Sequence, residues 1–238
     1  MKRIYLFTIL MVSLISACNP KFYTPNTQNV PLLSTKGETN LTLSGNGNQV
    51  EFQGANAITN NIGIKANGGL FIPPDLDNGN GGSGKFLEAG IGYYKELSPG
   101  WVFETYGIAG FGSFENHLPA SATTTPVTVG EVSADIFRIG LQPNIGYKSK
   151  YFSTAFSTRI TNLSYNNIEG DLIFDGEDQV EYLEENKSNL LIEPALTIRG
   201  GLEKLKLQLQ FGFSVNTTNK NFSQDNAYLT LGLNFNFK

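Results

Sequence analysis

The chain has one cysteine, one histidine and one tryptophan in 238 residues, and only 16% of its residues are charged. The lone cysteine, Cys18, excludes an intramolecular disulfide. With a single histidine, any imidazole base must be His117. The 17 basic residues, set against 21 acids, form no basic patch that could release counterions from phosphates, so nucleic acid is not an expected partner. The stretch Ile4–Ile15 is mainly apolar but too short to span a bilayer stably as a helix. The glycine run Gly79–Gly84 has no following helix and no Lys-Ser/Thr, which excludes a phosphate loop and leaves a flexible loop tip. The length suits one domain and does not require a second.

What is present in quantity is alternation. From Leu205 to Val215, Leu205, Leu207, Leu209, Phe211, Phe213 and Val215 share one face, with Lys206, Gln208, Gln210, Gly212 and Ser214 on the other. From Ala227 to Lys238 the pattern repeats, with Leu229, Leu231, Leu233, Phe235 and Phe237 against Tyr228, Thr230, Gly232, Asn234 and Asn236. Period two means strand. Ten such segments are expected, at about 38–45, 49–58, 62–72, 85–97, 101–114, 133–148, 151–165, 189–201, 204–216 and 226–238. Most are long enough to cross a membrane at a barrel's tilt, which takes about ten residues, whereas soluble strands usually run five or six. Short turns at 59–61, 98–100, 148–150 and 201–203 alternate with longer polar loops at 73–84, 115–132, 166–188 and 217–225. The expected fold is therefore all-β: a ten-stranded antiparallel up-and-down transmembrane β-barrel, with short turns in the periplasm and long loops outside. A soluble β-rich protein is the alternative.

Tyr93, Trp101, Tyr147 and Phe152 fall on the outward face beside short turns, as a girdle of aromatic rings at the membrane interface would. The inward face collects Glu51, Glu88, Glu104 and Glu193, and Lys65, Arg138, Arg159, Arg199 and Lys206. The two sets nearly cancel. Buried charges are costly unpaired, so Glu–Arg pairs are expected in the lumen. They would form either a closed structural core or a narrow charge-lined path for ions or small solutes.

At the N-terminus, Lys2 and Arg3 precede the apolar stretch, which ends Leu14-Ile15-Ser16-Ala17-Cys18. This resembles the lipobox of bacterial lipoproteins. The resemblance implies a signal peptide over 1–17 and acylation of Cys18; an ordinary cleaved signal with an incidental cysteine is the alternative. Cleavage there removes two basic residues and no acid, taking the formal charge from −4 to −6. Asn19 rather than aspartate after the cysteine implies passage to the outer membrane. Residues 18–37, with Pro20, Pro25 and Pro31, read as an extended tether leading to a barrel over 38–238. Tyr23–Glu38, and more loosely Ala57–Ile64, resemble the opening of small outer-membrane β-barrel lipoproteins of the Bacteroidetes type. That family implies fold and location, not an activity.

Both chain termini are thus expected in the periplasm, with the lipid anchor facing it. The expected partners are outer-membrane lipids and lipopolysaccharide, with an unidentified surface ligand through the four long loops. No cofactor or metal is expected. Loop 166–188 carries eight acids, Glu169, Asp171, Asp175, Glu177, Asp178, Glu181, Glu184 and Glu185, and reads as a solvated, mobile outer loop. The leading functional expectation is a non-enzymatic envelope or surface-interaction protein. The alternatives are a narrow channel and a rim enzyme using His117 with Ser113 and Glu115 nearby.

Overall fold

A computed structural model describes residues 20–72, 81–118 and 128–237. The strands are β1 (Thr39–Gly45), β2 (Gln49–Ala57), β3 (Ile62–Phe71), β4 (Gly81–Ser98), β5 (Trp101–Leu118), β6 (Gly130–Lys148) and β7 (Phe152–Gly170). A small hairpin, β8 (Ile173–Phe174) and β9 (Glu177–Asp178), and a short helix, α1 (Gln179–Glu185), precede β10 (Ser188–Gly201), β11 (Leu205–Phe213), β12 (Val215–Asn216) and β13 (Ala227–Phe237). Each long strand pairs antiparallel with the next, and β1 closes the sheet on β13 with Thr39 opposite Phe237. Because β12 continues β11 beyond Ser214, the described residues form a closed ten-stranded antiparallel barrel.

The barrel is inverted relative to a soluble protein. Gln208, Gln210, Thr230 and Asn234 are buried inside, while Leu207 is 70% and Leu231 67% exposed outside. An outward belt of exposed Leu, Ile and Phe with a hydrogen-bonded polar interior suits hydrocarbon as the outer solvent. No described helix is long and apolar enough to cross a membrane.

Strand positions agree with the alternation except at the long-loop ends. β4 begins at Gly81 rather than 85, and β5 runs to Leu118 rather than 114. β6 begins at Gly130 and β7 reaches Gly170. Glycines hide the alternation there: Gly81 and Gly82, expected in a loop tip, pair with His117 and Asn116. At ~3.3 Å per residue these 18- and 19-residue strands rise well past the ten or so residues needed to cross. They build a wall above the membrane on the long-loop side.

The expectation of a mobile acidic loop at 166–188 is corrected. The segment folds as β8, β9 and α1, and Asp178 caps α1 by accepting from the Val180 and Glu181 N–H groups. Leu172 and Leu183 turn inward, onto Phe22, Tyr165 and Phe222. The acids lie on the solvent side, and their number conceals a sparse apolar pattern beneath. Burial raises the Tyr182 phenol above its ordinary pKa, and its oxygen accepts from the Ser223 N–H at 3.0 Å.

Two glycines are dictated by close approach. A Cβ on Gly63 would lie 2.7 Å from Leu33 Cδ1, and one on Gly146 would lie 2.7 Å from Ala155 Cβ and the Thr154 carbonyl oxygen of β7 and 2.9 Å from Leu32 Cδ2. The two walls are thinned where leucines of the N-terminal segment pass. Gly63→Val is expected to cost about 1–3 kcal/mol by overpacking, measured by urea unfolding of the folded barrel.

Candidate functional site

The lumen is the candidate site, and it is occupied by the chain itself. Residues 20–36, expected as a tether, run through the barrel interior. Thr27, Gln28, Val30, Leu32 and Leu33 are fully buried. The segment has no regular secondary structure, so its backbone groups need other partners. Side chains of the wall supply them. Glu104 accepts from the Leu32 and Leu33 N–H groups at 3.1 and 2.7 Å. Lys65 and Gln142 donate to the Asn29 carbonyl at 3.3 and 2.9 Å. Gln210 accepts from the Gln28 N–H at 2.6 Å and donates to the Gln28 carbonyl at 2.9 Å. Glu51 accepts from the Thr27 N–H at 2.9 Å and hydroxyl at 2.8 Å. Gln53 donates to the Thr27 carbonyl at 2.8 Å. Prolines fit this path because they bring no N–H to satisfy.

The nine lumenal charges foreseen from the alternation are all buried. They divide by partner. Arg138 binds Glu88 at 2.5 Å, and Arg159 binds Glu193 at 2.6 Å with Glu88 4.0 Å away. These are the expected Glu–Arg pairs, and the N-terminal segment joins both. Tyr23 donates to Glu193 at 2.8 Å and accepts from Arg138 at 3.0 Å. Arg159 also donates to the Asn26 side-chain oxygen at 2.9 Å. Glu51 and Glu104 have no described basic side chain within salt-bridge distance; threaded backbone N–H groups serve instead. Arg199 donates to Gln208 at 2.7 Å, and Lys206 to the Glu203 carbonyl at 3.1 Å, near the short-turn end.

The direction of threading corrects the expected placement of the N-terminal segment as a tether at the short-turn end. Leu33 lies low, by Glu104 and Tyr94 near the short turns. Asn29 lies higher, by Lys65, Asn67 and Gln142. Tyr23 reaches Glu193 and Arg138, and Phe22 packs against Phe114, Tyr182 and Phe222 at the long-loop mouth. The Pro20 carbonyl accepts from the Ser223 hydroxyl in the last long loop. Strands β1 and β13 do have their outer ends together at the short-turn end. The segment before β1, however, leaves the barrel at the opposite end, because its polar groups find their acceptors and donors inside. Cys18 and the signal segment 1–17 lie outside the described residues.

Tyr93, Trp101, Tyr147 and Phe152 sit on the outward face near the short turns, with Trp101 and Tyr147 rings 5.7 Å apart. His117 lies on the upper wall with Nδ1 3.9 Å from Glu131, both well exposed. Ser113, Glu115 and His117 alternate onto the same face as Phe111, which is 65% exposed. Ser113 is roughly 13 Å along the strand from His117, beyond hydrogen-bond reach. His117→Ala is expected to change stability by less than about 0.5 kcal/mol, measured by urea unfolding. No group of three or more potential metal ligands occurs among the described residues.

A cavity of about 530 Å³ opens at the long-loop rim between the N-terminal segment and β3 to β6, lined by Phe22, Phe71, Phe86, Phe114 and Arg138. Of the expected loops 73–84 and 115–132, residues 73–80 and 119–127 lie outside the described residues. The residues that alternation could not single out are Tyr23, Asn26, Gln28 and Asn29. The only signal for them was a tether unusually rich in amides. Gln210 was legible as inward-facing, but not as a partner of a threaded backbone.

No family model and no curated protein matches the chain. Among solved structures it is similar to a major outer membrane protein from Thermus thermophilus, at 11% identity and a TM-score of 0.42, over 84% of this chain and 99% of that one. It is also similar to LpxR from Salmonella typhimurium, at 9% identity and a TM-score of 0.36, over the same shares.

Proposed function

We propose that this protein is a non-enzymatic outer-membrane barrel lipoprotein whose lumen is occluded by its own N-terminal segment, with a structural or surface-interaction role. The observation that carries the closed lumen is the run of wall side chains hydrogen-bonded to the backbone of residues 22–33. An ion path would need that segment to leave, breaking bonds to Glu51, Glu104, Arg159 and Gln210 at once. The outward apolar belt supports residence in outer-membrane lipid, with lipopolysaccharide against the long-loop side. The lipoprotein part rests on the resemblance at Leu14–Cys18. The capped long-loop face, with β8, β9 and α1, offers the folded surface on which an outside ligand would act. Planar-bilayer recording of the purified, inserted protein tests the closed lumen. No conductance steps are expected; reproducible steps with charge selectivity would overturn the reading.

A further inference from the structure

We propose that the mature N-terminal end of this chain is displayed on the outer face of the membrane, carried there through the lumen of its own barrel. The inference rests on the outer-membrane reading above for the sidedness of the barrel, and it goes beyond it in the fate of the N-terminus.

Three observations support it. The contacts of residues 33, 29, 23 and 20 climb in order from the short turns to the long-loop mouth, so the segment makes one direct pass. The twelve steps from residue 22 to residue 34 reach at most about 40 Å, enough to cross the whole lumen. The exit is fixed on three sides. The Phe22 N–H donates to the Ser223 carbonyl at 2.9 Å, Tyr165 donates to the Phe22 carbonyl at 3.0 Å, and Asn116 donates to the Lys21 carbonyl at 2.9 Å. Short turns mark the periplasmic end of such barrels, so the mouth that holds Pro20 is the outer one.

Reach then decides where an acyl group on Cys18 can go. Only Asn19 separates Cys18 from Pro20, and the two steps between them span at most about 7 Å. The hydrocarbon core is about 30 Å thick. A lipid on Cys18 therefore reaches the outer leaflet and not the periplasm-facing one, which reverses the anchor orientation expected from the lipobox alone.

The wild-type protein carries the probes for a test. Lys21 lies at the exit, Lys220 in the last long loop, and Lys150 and Lys204 at short turns. Intact cells would be treated with a membrane-impermeant amine reagent, and modified lysines identified by mass spectrometry before and after permeabilisation. Lys21 and Lys220 should be modified on intact cells, and Lys150 and Lys204 only after permeabilisation. Modification of Lys220 but not Lys21 on intact cells, with Lys21 joining Lys150 afterwards, would overturn the threading while leaving the barrel reading intact. Modification of Lys150 and Lys204 but not Lys220 would reverse the barrel itself and overturn both. Should Lys21 react under neither condition, an epitope inserted between Asn19 and Pro20 reads the same question. Antibody binding on intact cells supports the display, and binding only after permeabilisation overturns it.

Discussion

Deleting Thr24–Ser34 is expected to turn a silent barrel into a conducting one. A ten-stranded barrel is wider than the eight-stranded kind that side chains just fill. The remaining space here is taken by a chain segment, not by wall side chains. Without it, Glu51 and Glu104 lose their backbone donors, and Lys65 and Gln210 lose backbone carbonyl acceptors. Water is the only substitute for so many polar groups. Recordings should change from no steps to reproducible steps. The lumen then keeps four Glu against five Lys and Arg among the nine foreseen charges, so only weak charge selectivity is expected. A deletion that folds into the barrel and stays silent would mean that the wall collapses into the vacated path.

Arg159→Ala is expected to destabilise the barrel by about 3–5 kcal/mol, the cost of leaving a buried partner charge unpaired. Arg159 is fully buried and holds Glu193 and Asn26 together while standing 4.0 Å from Glu88. Arg159→Lys should also cost, because one ammonium cannot reproduce the fork that reaches the carboxylate and the Asn26 oxygens. The double variant Arg159→Met with Glu193→Leu should recover a substantial part of the loss, since replacing both members of a buried pair leaves no orphan charge. Urea unfolding in lipid vesicles gives these values, together with those of Arg159→Met and Glu193→Leu alone. Equal losses in the double variant and the sum of the single ones would show that the two side chains act independently.

The strands were legible because the membrane and the lumen impose opposite chemistry on alternate residues. Leu207 and Gln208, or Leu231 and Gly232, display that contrast without knowledge of their neighbours. The upper wall was less legible, since Gly81, Gly82 and Gly84 carry no side chain to alternate. The threaded segment was not legible as lumen filling at all. It has no period, and its prolines say only that it is extended. Its partners, Gln142, Gln210 and Glu104, satisfy backbone groups, and a backbone group leaves no mark in the sequence. The lumenal charges were visible as inward residues, but two of the acids look unpaired until Thr27, Leu32 and Leu33 are placed beside them. Leu32 adds a further hidden feature. Its φ of +54° is a left-handed conformation, held between the Glu104 carboxylate on its N–H and Lys148 on its carbonyl.

Amide hydrogen exchange of the folded protein in detergent, read on peptides covering residues 20–36, tests the threaded lumen most directly. The Thr27, Gln28, Leu32 and Leu33 amides are bonded to buried side chains and should be protected to the same degree as amides of β5 and β10. Exchange of these four at the rate of a free peptide, with β5 and β10 still protected, would contradict the account: the segment would then lie outside the barrel as a tether.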